Sequence, residues 1–259
     1  MTDAPSRKTA AILAIGDELL SGRTRDANMH YLAGWLTARG VSLQEARFVG
    51  DDTKDIGDAL NTLRVKYDYV FTSGGIGPTH DDITVDAIAD ALRVPVIEHP
   101  KAMAMIKAWY GARNEEVTPA RARMGRTPEG ATLIDNPVSG APGVMVGNVF
   151  VMAGVPRIFQ GMLHAIEGEI ERGAKLHSRA VTAEGLPEST LAAQLVDIQS
   201  ALKGVSIGSY PIDGDEMGVT IVARSENAST AEAAIDAVCA AMTALGFEPV
   251  REDRKKAAE

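Results

Sequence analysis

The chain has 259 residues, with 26 basic and 35 acidic side chains, and its net charge is −9. This charge argues against a general nucleic-acid binder, because such proteins present a basic face to the phosphates. Hydrophobic residues make up 45% of the chain and charged residues 24%, as in ordinary globular proteins. Cys239 is the only cysteine, which excludes an internal disulfide.

The amino terminus and the hydropathy pattern indicate a cytoplasmic protein. Residues 1–10 lack the apolar core of a signal peptide. No apolar run in the sequence is long enough to cross a bilayer. We therefore expect neither a membrane partner nor a nucleic-acid partner.

Strands and helices alternate in the first part of the chain. The predicted strands cover residues 9–15, 41–49 and 69–71, and the predicted helices cover residues 26–39, 53–66 and 84–92. This alternation predicts a parallel sheet with right-handed crossovers. Loops at the carboxyl ends of parallel strands share one edge of the sheet. We therefore expect the loops that begin at Gly16, Gly50 and Ser73 to form one crevice.

The third of these loops is rich in glycine and carries two adjacent carboxylates. Gly74, Gly75 and Gly77 are followed by Asp81 and Asp82. A strand, a glycine loop and a helix start together gather backbone N–H groups around an anion. This pattern predicts a site for a phosphorylated or pyrophosphate-bearing ligand. The simpler alternative is a tight turn without a ligand.

The helix after this loop is predicted to begin with a side-chain cap. Thr84 stands directly before the apolar positions of the helical pattern, where a threonine hydroxyl commonly caps the first turn.

Past residue 92 the sequence predicts a helix over residues 100–112 and strands over residues 94–97, 131–134, 143–146 and 149–152. Arg121, Arg123 and Arg126 form a small basic cluster between them. This cluster is either a solvated helix face or a group that neutralises ligand phosphates across the crevice.

The pattern changes near Gly173. The order from there is strand, helix, strand, strand, helix, which is typical of a small α+β domain. We therefore predict two domains, residues 1–173 and residues 174–259.

Several motifs resemble a known family. Residues 15–22 (IGDELLSG), 49–52 (VGDD) and 72–84 (TSGGIGPTHDDIT) are similar to the N-terminal part of competence/damage-inducible protein A, CinA, within the wider MoaB/Mog molybdopterin-binding group. Residues 136–143, 154–156 and 207–211 also match. The resemblance implies a three-layer α/β domain with a parallel sheet, followed by a small α+β domain of the KH type. Because the sequence stops at Glu259, we expect the deamidase domain of full-length CinA to be missing.

The resemblance implies two chemistries. Relatives in the Mog branch bind molybdopterin and adenylate its phosphate with magnesium. The CinA branch is associated with metal-dependent hydrolysis of a nucleotide pyrophosphate such as ADP-ribose or FAD. The features here are closer to the CinA branch, because of residues 16–20 (GDELL), residues 79–82 (THDD) and the small domain. Ile76, which stands where the Mog branch has threonine, argues against the molybdopterin interpretation. A module that binds the ligand without catalysis is a third alternative.

The resemblance also assigns roles to residues. Asp51 and Asp82 are the expected catalytic residues and the expected ligands of Mg²⁺ or a similar divalent metal. Each also precedes a helix, and because capping and metal binding are compatible we expect both roles. His80 is either a proton shuttle or a solvated loop residue. The expected substrate-binding residues are Gly16, Glu18, Ser21, Gly22, Asn28, Ser73, Gly74, Gly75, Ile76, Gly77, Pro78, Thr79, Asn136, Gly154 and Pro156. The expected partners are an adenine nucleotide or a pterin, and further copies of the chain in a dimer or trimer.

Overall fold

The structure is a computed structural model that describes residues 7–212 and 217–252. It consists of two compact units, the first ending at Gly173 and the second beginning at Ala174. The strands of the first unit are β1 Thr9–Ile15, β2 Ser42–Val49, β3 Tyr69–Ser73, β4 Val96–Glu98, β5 Arg126–Pro128, β6 Thr132–Ile134, β7 Gly143–Val146 and β8 Val149–Met152. Its helices are α1 Asp17–Leu20, α2 Asn28–Thr37, α3 Thr53–Lys66, α4 Thr84–Leu92, α5 Pro100–Gly111, α6 Pro119–Arg123 and α7 Pro156–Ala165, followed by a 3₁₀ turn, Glu167–Glu169.

The central sheet of residues 7–173 has the strand order β2-β1-β3-β8-β7-β6. The first four strands are parallel, but β7 pairs antiparallel with both β8 and β6. The expectation of a parallel sheet is therefore wrong for β6 and β7. The reason is local: only Gly147 and Asn148 separate β7 from β8, and so short a connection forms a hairpin, whose strands are antiparallel.

Helices cover both faces of this sheet and make three layers. On one face α2 and α7 pack against β1 through a core that contains Ile12, Trp35 and Phe159. On the other face α3 and α4 pack through a core that contains Leu13 and Leu60. Neighbouring residues of β1 thus belong to opposite cores, which explains why the whole strand is apolar.

A smaller layer lies beside the sheet. Strands β4 and β5 form an antiparallel pair, and α5 carries Met103 and Ile106 into a separate cluster with Ala141. The methionine-bearing helix is therefore a packing element.

The second unit has an antiparallel sheet with the order β10-β11-β9-β12. Its elements are β9 His177–Glu184, α8 Glu188–Ala201, β10 Val205–Ile212, β11 Gly218–Ser225, α9 Ala228–Ala244 and β12 Val250–Arg251. Both helices contribute to one core with the sheet, through residues such as Leu191, Ile221 and Val238. The predicted strand-helix-strand-strand-helix order is confirmed, with β12 added after it.

Among the residues that the structure describes, no helix combines the length and the apolar character that a membrane span requires.

Candidate functional site

The carboxyl ends of four parallel strands meet at one edge of the central sheet, here called the rim. Near the end of β1, Ile15 pairs with Val49 of β2, and Ala14 pairs with Ser73 of β3. Ser73 pairs in turn with Met152 of β8. The prediction that the three loops share one edge of the sheet is confirmed. Strand β8 adds a fourth loop, residues 153–155, that the three-loop prediction did not include.

Asn28 connects these loops at the first residue of α2. Its side-chain amide donates to the Ser73 hydroxyl at 2.7 Å and to the Gly154 carbonyl at 2.7 Å. The residue is 3% exposed, and its Oδ1 is a buried atom with no hydrogen-bond donor among the described residues. The structure thus brings together three of the expected binding residues, from β3, from α2 and from the loop after β8.

Two glycines allow the third loop to lie against its neighbours. Gly74 has φ +114°, and a Cβ there would collide with the carbonyl oxygen of Ile15. Gly75 has φ +66°, and a Cβ there would collide with the Thr84 hydroxyl. The backbone conformation and the close approach both require glycine at these positions.

This loop also leaves donors free. Within the described residues, the backbone N–H groups of Gly75, Ile76 and Gly77 make no hydrogen bond to a backbone or side-chain acceptor. Three consecutive unbonded N–H groups at the end of a strand are suited to an anion.

Thr84 is not the cap that the sequence suggested. It is the first residue of α4, the N-cap position belongs to Ile83, and no side chain caps this helix. The Thr84 side chain is turned into the protein, where its Oγ1 is buried without a partner among the described residues. Its proximity to Gly75 explains this orientation.

Asp51 is held by the loop that follows β1. Its Oδ2 accepts a hydrogen bond from the backbone N–H of Asp17 at 3.0 Å, and its own N–H donates to Asp17 Oδ1 at 3.4 Å. The N-cap of α3 is the next residue, Asp52, whose carboxylate accepts from the N–H groups of Lys54 and Asp55. The prediction that Asp51 also caps a helix is therefore wrong.

Asp82 is likewise not a helix cap. Its Oδ2 accepts from the backbone N–H of Thr79 at 2.8 Å and from the Thr79 hydroxyl, which closes a turn before α4. A Cβ on Gly77 would lie 2.6 Å from the same oxygen, so the carboxylate lies directly against the glycine loop. Oδ1 of Asp82 receives no hydrogen bond within the described residues.

The carboxylates suit a divalent cation only with help from a ligand. Strand β1 separates β2 from β3, so the ends of these two strands are about 10 Å apart. Asp51 stands two residues past the end of β2, whereas Asp82 stands nine residues past the end of β3. In the part of the chain that the structure describes, no three or more acidic, histidine or cysteine residues form a metal cage. Mg²⁺ commonly takes one or two carboxylates and completes its coordination with substrate phosphates and water. A single carboxylate such as that of Asp82, beside the glycine loop, fits the one-carboxylate form of this binding.

A narrow cleft opens beside the glycine loop. Its lining includes Gly75–Gly77, Asp82, Asp86, Arg123, Arg126 and residues 142–144. The cavity has a volume of about 20 Å³, which accommodates about one water or one oxygen atom of a ligand. A larger ligand must therefore extend out of the cleft. Pro78 and Thr79, the next residues of the glycine loop, are exposed.

The three arginines of the basic cluster have separate environments. Arg121 pairs with Glu115 and lies over the ring of Tyr110 at 4.0 Å, outside the cleft. Arg126 pairs with Asp86, and Arg123 donates to the main-chain carbonyl of Asp82 at 3.2 Å. The solvated-face interpretation fits Arg121, whereas Arg123 and Arg126 line the cleft.

Some expected binding residues lie elsewhere or are already engaged. The side chain of Asn136 uses its amide within residues 136–141, where it accepts from Val138 and Ser139 and donates to Ser139 and Ala141, and it does not line the cleft. Ser21 and Gly22 are exposed after α1. His80 is exposed in the same loop as Asp82, with its ring 3.9 Å from Asp81.

The remaining expected residues lie at the rim. The Glu18 carboxylate lies beside Gly16, Gly154 lies against Gly74, and Pro156 begins α7. Sequence reasoning missed Asp17, Asp86 and the separate environment of Arg123. Asp86 is the acidic residue in the first turn of α4, directly after the glycine loop, which is the signal that could have found it.

Comparisons with known proteins agree with this geometry. Residues 11–172 match the family model described as "Probable molybdopterin binding domain", and residues 175–250 match the model of the FAD synthase middle domain. The CinA-like protein of Desulfosudis oleivorans is 34% identical over 86% of this chain. The chain spans only 56% of the length of that relative. A protein of Pyrobaculum calidifontis is 33% identical, with 88% of this chain and 92% of that protein aligned.

A solved structure shares the first unit. The crystal structure of CinA from Thermoplasma acidophilum, a protein of unknown function, has 35% sequence identity and a TM-score of 0.58. It covers 62% of this chain and 97% of its own. The family match, the mixed six-stranded sheet and the small α+β unit lead to the same assignment. The chain belongs to the molybdopterin-binding domain family and, within it, to the CinA-like proteins.

Proposed function

We propose that this chain hydrolyses a nucleotide pyrophosphate of the ADP-ribose or FAD type at the rim. The observation that carries the proposal is the meeting of free backbone N–H groups at Gly75–Gly77 with the carboxylate of Asp82, at the edge that also holds Asp51. A diphosphate needs donors for its oxygens and a cation to balance its charge. The rim offers donors and oxygen ligands together.

The proposed ligand is an adenine nucleotide that contains a pyrophosphate. The similarity of residues 175–250 to the middle domain of FAD synthase supports a ligand that contains adenosine and a pyrophosphate. The diphosphate would lie over Gly75–Gly77. The buried Asn28 would hold the loops after β3 and β8 together through its hydrogen bonds to Ser73 and Gly154.

Hydrolysis adds water across the phosphoanhydride bond and gives AMP with ribose 5-phosphate from ADP-ribose, or AMP with FMN from FAD. Asp51 and Asp82 would hold a divalent cation, which when bound would neutralise the diphosphate and polarise the bond that breaks. The N–H groups of the glycine loop would stabilise charge on the phosphate oxygens without reorganising. A free carboxylate oxygen at the rim would orient the attacking water.

The test is release of AMP from ADP-ribose and from FAD by purified protein with Mg²⁺, Mn²⁺ or Co²⁺. We expect Asp51→Asn and Asp82→Asn to lower the rate at least 100-fold. Asp52→Asn is the matched control, because it removes the same charge one residue away while asparagine still caps α3. Folded wild-type protein that releases no AMP from either compound, or an Asp52→Asn variant as inactive as Asp51→Asn, would contradict the proposal.

A second candidate is binding or adenylation of molybdopterin, and the match of residues 11–172 to the molybdopterin-binding family favours it. The pterin phosphate would use the same N–H groups. This candidate predicts that purified protein retains a fluorescent pterin, or consumes ATP when molybdopterin is supplied. Restored cofactor synthesis in a deficient strain would separate it from hydrolysis.

The cytoplasmic location and the dimer or trimer stay predictions. Sedimentation equilibrium of the purified chain measures the number of chains in the assembly directly.

A further inference from the structure

We infer that Arg123 is the residue that binds an anionic oxygen of the ligand and so restricts the site to ligands with a phosphate or pyrophosphate group. This inference rests on the proposed function, binding of a pyrophosphate at the rim, and names the side chain that binds the ligand's negative charge. Its basis is the difference between the two arginines that line the cleft.

Arg126 is already paired. Its guanidinium binds the carboxylate of Asp86 through both terminal nitrogens, one of them at 3.2 Å. Such a two-bond pair fixes the direction of both groups. Arg126 therefore has its charge balanced within the protein.

Arg123 has no such partner. Within residues 7–212 and 217–252, no carboxylate oxygen lies within 4.0 Å of its guanidinium nitrogens. Its Nε is buried and makes no hydrogen bond to any described residue. A buried donor on a charged group costs free energy when it stays unbonded, and the charge of Arg123 is balanced by no acidic group of the described residues.

Arg123 lines the same cleft as the glycine loop. Its Nη2 donates to the main-chain carbonyl of Asp82 at 3.2 Å, and the Asp82 carboxylate lies against Gly77. The cavity that these residues line holds about one oxygen atom. An oxygen of a phosphate placed in this cavity would be shared between the loop N–H groups and the guanidinium group.

The test is titration calorimetry with inorganic pyrophosphate as the probe, at low ionic strength and with Mg²⁺. We expect Arg123→Gln to weaken pyrophosphate binding at least tenfold and Arg123→Lys to weaken it less. Arg121→Gln is the matched control, because it removes the same charge from the same helix but outside the cleft, and we expect its Kd to stay within twofold of wild type. Tryptophan fluorescence shows that each variant is folded.

Three results would overturn the inference: no pyrophosphate binding by the wild type, a Kd of Arg123→Gln within twofold of wild type, or equal losses in Arg123→Gln and Arg121→Gln. Parallel titrations with ADP-ribose separate the two proposals. Binding of ADP-ribose that Arg123→Gln leaves unchanged would remove the role of Arg123 and keep the proposed function. Failure to bind ADP-ribose, FAD or a pterin would remove both.

Discussion

The carboxylate of Asp51 and the backbone N–H of Asp17 are joined by a 3.0 Å hydrogen bond across the ends of β2 and β1. A second hydrogen bond runs the other way, from the backbone N–H of Asp51 to the carboxylate of Asp17 at 3.4 Å. Asp51 is therefore positioned by the neighbouring loop and not by the helix that follows it. Its neighbour Asp52 carries out the capping. Two adjacent and identical side chains thus have separate tasks.

The first prediction separates these tasks by stability. Asp52→Ala should lower the free energy of unfolding by about 1 kcal/mol, because the first turn of α3 loses its only side-chain cap. Asp51→Asn should change it by less than about 0.5 kcal/mol, since an amide oxygen still accepts from Asp17. Both tryptophans, Trp35 and Trp109, lie in the first unit, so urea unfolding followed by their fluorescence reports on it. Equal losses in the two variants would contradict this division.

The second prediction concerns Gly74. Gly74→Ala should destabilise the first unit by about 3 kcal/mol, because the new Cβ would require a φ that L side chains rarely adopt and would collide with the rigid Ile15 carbonyl. Gly34→Ala is the control: Gly34 lies within α2, its Cβ would meet no atom within 4 Å, and alanine there should stabilise by up to about 1 kcal/mol. A mild effect of Gly74→Ala would show that the loops are packed less closely than described.

The third prediction concerns Asn28. Asn28→Ala removes two hydrogen bonds and leaves the Gly154 carbonyl without its side-chain donor, at a cost of about 2 kcal/mol. His30 is exposed on the same helix, so His30→Ala should stay within about 0.5 kcal/mol of wild type. Because Asn28 ties the loops after β3 and β8 together, its loss should also weaken ADP-ribose binding more than His30→Ala does. Unchanged stability in Asn28→Ala would exclude this role.

The buried part of the fold could be predicted because its pattern is local. Thr9–Ile15, Thr53–Lys66 and Val149–Met152 have the bounds that the sequence indicated, since each is a continuous apolar run or a regular helical stripe. The convergence of the loops followed from parallel pairing alone. The direction of β7 was missed although the predicted bounds, 143–146 and 149–152, already leave a two-residue connection, which forms an antiparallel hairpin.

The individual roles at the rim could not be predicted in the same way. Whether Asp51 or Asp52 caps α3 depends on a backbone turn, and Asp52 has the extended conformation that a cap needs. Arg121, Arg123 and Arg126 are equivalent in sequence, but only tertiary contacts give two of them acidic partners. Pairing across more than 30 residues, as between Asp86 and Arg126, carries no local signal.

The last prediction concerns pH and the base of the sheet. Glu45 on β2 accepts hydrogen bonds from Lys66 at 2.9 Å, from the Tyr67 hydroxyl at 2.7 Å and from Arg47 at 2.7 Å. These donors favour the ionised carboxylate and lower the pKa of Glu45 from 4.5 to about 2. Because the folded pKa lies below the unfolded one, the stabilisation is complete above pH 4.5 and is lost as the pH falls towards 2.

Glu45→Gln should therefore unfold at a lower urea concentration than wild type at pH 6, and the difference should shrink steadily between pH 4.5 and pH 2.5. Tryptophan fluorescence again follows the first unit, where Glu45 lies. Glu129→Gln is the control, because Glu129 is exposed and forms no ion pair with another residue of the described chain. We therefore expect Glu129→Gln to unfold at the same urea concentration as the wild type at every pH. A difference between Glu45→Gln and wild type that stays constant with pH would show that the ionised carboxylate is not the source of the stabilisation.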